Sequence, residues 1–389
     1  MKSKVRNVYF VLMLVLLTLF SVSLPLWAAL PAGERVEIVI LHTNDVHSRL
    51  ESHLPQGLQV EQGGRVRLAT LVEEVRAKYG SDKILLLDAG DSIHGMNIDN
   101  LFGGMPSIEV MNAMGYDAFT PGNHEFNYGQ EVLAERILDA AFPTLAANVT
   151  KEDGSLFAGY SALIKEVNGI TVGIIGLVAE DTPIVTHPRN VEGLIFRDPI
   201  AVAKETAKTV RPEVDILIAL SHLGYGTDMK LAEAVPEFDV IVGGHSHTRL
   251  SAAQEVNGVL LVQTHEYANY LGFLRLEVEG RQIVDYDSRL LPVTALVEKN
   301  ARVQKIIDYW NEQLQERLGN VIGKSDVSWD GERASVRTGE TNLGNLVADL
   351  IRDTVGADIA VTNGGGIRAS IHAGEIRVAD VYNTLPFDN

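Results

Sequence analysis

Asp45 and His47 lie two residues apart, and so do His245 and His247. Each pair follows an apolar run. Three more apolar runs end in polar clusters: "DAGD" (Asp88–Asp91), "GNHE" (Gly122–Glu125) and "SH" (Ser221–His222). The clusters supply Asp, His and Asn without sulfur, a donor set suited to Mn²⁺, Zn²⁺, Co²⁺ or Fe²⁺. In extended backbone, residues two apart point the same way, so each pair can close on one ion. Gly90, Gly122, Gly243 and Gly244 let backbone crowd such a site. Taken singly, an Asp-x-His reads as a turn or a helix cap, and Asn123 as a turn residue. Five such clusters at successive strand ends point instead to a single site.

The elements that must carry them are legible from hydrophobic periodicity. "VEIVIL", "KILLLD", "YDAF", "NGITVGIIGLV", "DILIAL", "FDVIV" and "GVLLV" read as strands. Leu68, Leu71, Val72 and Val75 fall at helical spacing and predict a helix over 65–79. "PSIEVMNAMG" and "EVLAERILDAA" predict two more helices. Strands alternating with helices predict an α/β domain over 34–296, with an antiparallel hairpin late. In open α/β sheets, ligands sit beyond the carboxyl ends of the strands, where these clusters fall. A charged helix over 299–318, within a linker at 297–320, leads into a second region at 321–389. There a helix near 343–355 and a strand "ADIAVT" are expected.

The chain has 389 residues, of which 46% are hydrophobic, enough for a large core. It has no cysteine, which excludes disulfides, iron–sulfur clusters and a thiol nucleophile. Its 33 basic and 51 acidic side chains give a net charge of −18, which argues against nucleic acid polymers as partners. A phosphate site must then bring its own positive charge, from metal ions or arginines. Lys2, Lys4 and Arg6 precede an apolar run, Val8 to Leu24, and Leu26-Trp27-Ala28 offers a cleavage site. Residues 1–28 are therefore read as a signal peptide. Left uncleaved, the run is long enough to anchor in a bilayer, which takes roughly 20 residues. Either way the chain is expected outside the cytoplasm, in the periplasm, at the cell surface or in the medium.

"ILHTNDVHSRLE", "LLLDAGDSIHG", "TPGNHEFNYG", "ALSHLG", "VIVGGHSHT", "TNLGNLVADLIR", "VTNGGGIRASI" and "LPFDN" resemble, in order, the motifs of the 5′-nucleotidase family of calcineurin-like metallophosphoesterases. The resemblance implies an α/β sandwich with mixed β-sheets, followed by a partial second α/β domain that binds the nucleoside. It implies two divalent metal ions. Asp45, His47 and His247 would hold one, Asn123, His222 and His245 the other, and Asp91 would bridge them. (The family often has Gln at the position of His247.) Two ions about 3.5–4 Å apart bind phosphate oxygens and turn water into hydroxide near neutral pH. That hydroxide would attack phosphorus in line with the leaving ribose oxygen, with His124 beside the phosphate. Many members place Asp three residues after this histidine, and here Asn127 stands there. Asn363, Arg368 and a base-stacking Phe387 would contact the nucleotide. The expected substrate is a nucleoside 5′-monophosphate. The string "NHEFNYG" also resembles the 2′,3′-cyclic-nucleotide phosphodiesterase/3′-nucleotidase branch. UDP-sugar hydrolysis, or a surface binding protein without turnover, are the remaining alternatives.

Overall fold

The computed structural model describes residues 34–54 and 59–385. The expected signal peptide and Phe387 lie outside the described residues. The strands are β1 (Arg35–Thr43), β2 (Ile84–Asp88), β3 (Ala118–Phe119), β4 (Val149–Lys151), β5 (Ala162–Val167), β6 (Ile170–Val178), β7 (Leu194–Phe196), β8 (Ile216–His222), β9 (Val240–Gly243), β10 (Gln254–Val256), β11 (Val259–Val262), β12 (Tyr270–Glu279), β13 (Gln282–Pro292), β14 (Val321–Ser325) and β15 (Gly374–Arg377).

Period-two alternation sends the two faces of each central strand to different cores. Ile38 and Ile40 of β1 and Leu85 and Leu87 of β2 point one way. They meet Val172, Ile174, Ile218, Val240 and Val242 from β6, β8 and β9. Val39, Leu41 and Leu86 point the other way, beneath the helices Arg65–Tyr79, Met105–Met114 and Ala301–Leu318. Ile175, Leu177, Leu217 and Ala219 face the helices Pro199–Val210 and Tyr225–Ala234. The result is a helix–sheet–sheet–helix stack with buried aliphatic strands, as sheets covered on both faces require.

Both sheets are mixed. One runs β13–β12–β1–β2–β3, with β1, β2 and β3 parallel and the β12–β13 hairpin joined antiparallel to β1. The other runs β10–β11–β9–β8–β6–β5, with β11, β9, β8 and β6 parallel and an antiparallel strand at each edge. The polar clusters follow β1, β2 and β3 of the first sheet and β8 and β9 of the second. The site therefore forms where the carboxyl edges of two stacked sheets meet.

The connecting helix docks rather than spans. Asn300 caps it, its Oδ1 accepting from the Arg302 and Val303 amides at 3.1 Å. Val303, Ile307 and Leu314 enter the first sheet's outer core, and Trp310 Nε1 donates to Glu109 at 2.9 Å. The second region has the helix Asn342–Val355, the β14–β15 pair and a small core of Leu343, Val347, Ile367 and Ile371. The expected "ADIAVT" strand is not one. A strand exists through hydrogen bonds to a neighbour, and no described strand pairs with 357–362. Ile359 and Val361 are 80% and 89% exposed there.

Candidate metal centre

Convergence is achieved by turns, not by strand alternation. Asp45, His47, Asp91, His245 and His247 all have left-handed backbone, with φ of 51°, 48°, 54°, 71° and 51°. Non-glycine residues rarely adopt this region, and surrounding contacts must hold them there. Those contacts are specific. Asp45, His47 and Ser48 amides donate to the Gly90, Asp91 and Ser92 carbonyls at 2.8, 2.8 and 3.1 Å. The carboxylate of Glu125 accepts from the amides of Asp91, Ser92, Ile93 and Gly122 at 2.8, 2.6, 3.0 and 2.6 Å. Burial, then the neighbouring Asp91, pushes that carboxyl up to about 7. Beneath the loops, buried Arg65 donates to Asp88 Oδ2, Ser92 Oγ and Tyr116 OH at 3.1, 2.8 and 3.0 Å. Asp88 thus anchors the site instead of joining it. Glycine is required at the crossing point. A Cβ on Gly122 would lie 2.5 Å from His222 Nε2, and one on Gly90 would lie 2.6 Å from His222 Nδ1.

Three overlapping ligand groups result among the described residues. The outer two are Asp45, His47 and His247 on one side and Asp91, His222 and His245 on the other, with His47, Asp91 and His124 between them, and donor atoms in each lie within 4.8 Å of one another. His247 Nε2 lies 3.1 Å from His47 Nε2 and 3.3 Å from Asp45 Oδ1. Asp91 Oδ2 lies 3.3 Å from His222 Nε2 and 3.9 Å from His47 Nε2, between the groups. Asn123 Oδ1 is buried without a hydrogen-bond partner, and His222 Nε2 meets only Asp91 Oδ2, at 3.3 Å. Unsatisfied buried polar atoms are costly, and an amide oxygen and an imidazole nitrogen are both ligands for divalent ions. The donor set fits such ions.

The charges agree. Burial opposes a charge on His222, but Asp91 holds its proton affinity up at about 10. Burial likewise opposes charge on His247, but hydrogen bonds to Asp45 and Glu266 hold it at about 10. Both rings are therefore protonated near pH 7 in the metal-free protein. A metal ligand must be neutral imidazole, so binding expels protons and strengthens as pH rises toward 10. Calorimetric titration with Mn²⁺ at pH 7 should give an enthalpy that varies with the buffer's ionisation enthalpy. Equal enthalpies across buffers would show that the rings were already neutral.

His124 reaches this centre through its ring, which groups with His47 and Asp91, and through its amide, which donates to Asp91 Oδ1 at 2.9 Å. Asn127 Nδ2 donates to His124 Nδ1 at 3.0 Å, while Thr186 Oγ1 donates to Asn127 Oδ1 at 2.9 Å. His94, quoted within "LLLDAGDSIHG" but given no role there, stacks on His124 with centroids 5.4 Å apart and planes at 11°. Burial drives His94 down to about 3, so it stacks as a neutral ring. A cavity of about 390 Å³ opens above, lined in part by Arg49, His94, His124, Tyr267 and Arg368. Arg368 thus comes from the second region to the ligand groups. Asn363 does not line this cavity; its Oδ1 accepts from the Gly365 amide at 2.9 Å and shapes the "NGGG" turn.

The model of the calcineurin-like phosphoesterases matches residues 38–249, and that of the 5′-nucleotidase C-terminal domain matches 321–389. The chain belongs to the 5′-nucleotidase family. It is 32% identical to a mouse 5′-nucleotidase over 96% of this chain and 71% of that protein. It is 33% identical to the 5′-nucleotidase precursor from Thermus thermophilus, with a TM-score of 0.73 over 90% of this chain and 74% of that one. It is also 32% identical to the trifunctional nucleotide phosphoesterase YfkN of Bacillus subtilis, over 91% of this chain but only 26% of that protein's length. Membership makes the chain a metal-dependent phosphoester hydrolase. Among the described residues, no helix is long and apolar enough to cross a membrane.

Proposed function

We propose that this 5′-nucleotidase-family chain releases phosphate from nucleoside 5′-monophosphates, using two divalent ions. The observation that carries the reading is the pair of outer ligand groups either side of Asp91, with His124 and Arg368 lining the adjoining cavity. When bound, the ions supply phosphate-oxygen coordination and a water whose pKa falls to about 7. The rest falls to the chain. Asp91 holds the groups together, and Asn123 completes the set on the His222 side. Because Asn127 donates to His124 Nδ1, the neutral ring keeps its proton on Nε2, ready for charge developing on phosphate. Arg368 and Arg49 supply positive charge at the cavity of an otherwise acidic chain. Export through residues 1–28 belongs to the same reading. Asn127 itself favours one alternative, the cyclic-nucleotide branch.

A substrate panel separates them. With Mn²⁺ added, phosphate or nitrophenol release is measured from 5′-AMP, 3′-AMP, 2′,3′-cyclic AMP, UDP-glucose and bis-p-nitrophenyl phosphate. The highest kcat/KM is expected for 5′-AMP. Preference for 3′-AMP and cyclic AMP would move the chain to the other branch. No turnover of any substrate by metal-loaded protein would leave a binding protein.

A further inference from the structure

Beyond β11 runs a polar segment, Thr264 to Ala268, that is stitched onto the Asp45 loop. The Thr264 amide and hydroxyl donate to Asn44 Oδ1 at 2.8 and 2.7 Å. Asn44 Nδ2 donates to the His265 carbonyl at 2.7 Å and to Asp45 Oδ2 at 2.6 Å. The Tyr267 amide donates to the Asp45 carbonyl at 2.8 Å. His265, Tyr267 and Ala268 adopt left-handed backbone, with φ of 79°, 60° and 55°. So constrained, the segment delivers Glu266 to His247, where a carboxylate oxygen and Nδ1 form a close hydrogen bond.

The two outer ligand groups differ in this respect. His222 turns Nδ1 to a neutral acceptor, the Ala89 carbonyl, at 2.6 Å. His247 turns Nδ1 to a carboxylate. A carboxylate behind a ligating imidazole fixes the tautomer, orients the ring and makes the outer nitrogen a stronger donor.

We propose that Glu266 is a positioning residue that directs His247 Nε2 at the ion held with Asp45 and His47, and makes that ion the tighter bound of the two. The inference rests on the two-metal reading. Glu266 touches neither ion. It acts by accepting the hydrogen bond from Nδ1 and placing a negative charge behind the ring. An amide at 266 would still accept the hydrogen bond but would bring no charge.

The test is metal titration of the metal-free full chain with Zn²⁺ and Co²⁺ against a chromogenic chelator. It is run on the unaltered chain, Glu266→Gln, Glu266→Ala and His245→Ala. Two binding steps are expected in the unaltered chain, the weaker one lost in His245→Ala. Glu266→Ala should weaken the tighter step by about 10–100-fold, the usual cost of losing such a partner. Glu266→Gln should fall between, and the weaker step should hold in both. Circular dichroism confirms folding. If both steps survive unchanged in Glu266→Ala, or weaken together, Glu266 does not position His247. A single ion per unaltered chain would instead overturn the two-metal reading beneath the proposal.

Discussion

Asp91→Asn should lose at least about a thousandfold in phosphate release, and adding Mn²⁺ or Co²⁺ should not restore it. The figure corresponds to about 4 kcal/mol of transition-state stabilisation, within the several that a metal centre supplies. The substitution is well isolated from the fold. Asn tolerates left-handed backbone, so φ of 54° is kept. Its Oδ1 can still accept from the His124 amide. The Asp91 amide stays bound to Glu125. What disappears is the negative charge between His47 and His222. The unaltered chain should respond in parallel: exhaustive chelation abolishes release from 5′-AMP and from aryl phosphates, and Mn²⁺ or Co²⁺ restores it. Full activity after chelation would end the two-metal mechanism, and a fully active Asp91→Asn would remove Asp91 from it.

The parts of this architecture that were legible are those written in local pattern. β1, β2, β6, β8 and β9 are rich in aliphatic residues, and the helix Arg65–Tyr79 has apolar residues at its turns. The polar clusters stood out because each ends an apolar run. The reasoning from extended backbone reached the right pairs for the wrong cause. Asp45 and His47 converge through left-handed turns held by the Gly90 and Asp91 carbonyls, and no spacing rule encodes those. Glu125 was quoted within its motif, yet its role stayed hidden. Three of its four partners are backbone amides in a loop more than thirty residues earlier. Glu266 had a usable signal. β11 is an aliphatic strand ending in polar residues, and the rule applied to the other strands covers it too. "ADIAVT" failed for the opposite reason: apolar alternation cannot make a strand without a paired neighbour.

The remaining large effect tests what Asn127 does beside His124. His124→Ala should cost about a hundredfold or more across the active pH range, the loss typical of a donor to transition-state charge. Asn127→Asp should act differently, because it changes which nitrogen carries the proton. Thr186 can still donate to the retained Oδ1 position. The other oxygen replaces Nδ2, an N–H donor, 3.0 Å from His124 Nδ1. A neutral ring must then place its proton on Nδ1, and Nε2 is left bare. Only the doubly protonated ring would offer an Nε2 proton, and the new charge favours that form. The expected result is a rate within about tenfold of the unaltered chain at neutral pH, followed by an alkaline fall that the unaltered chain lacks. Measuring kcat/KM for 5′-AMP against pH in all three proteins decides it. If Asn127→Asp merely moves an existing alkaline limb upward, His124 protonates the leaving group rather than donating from a neutral ring. If its profile matches the unaltered chain while His124→Ala is crippled, the 3.0 Å contact does not govern the tautomer. Asn127 would then serve only to tie the turn to Thr186 and Asn190.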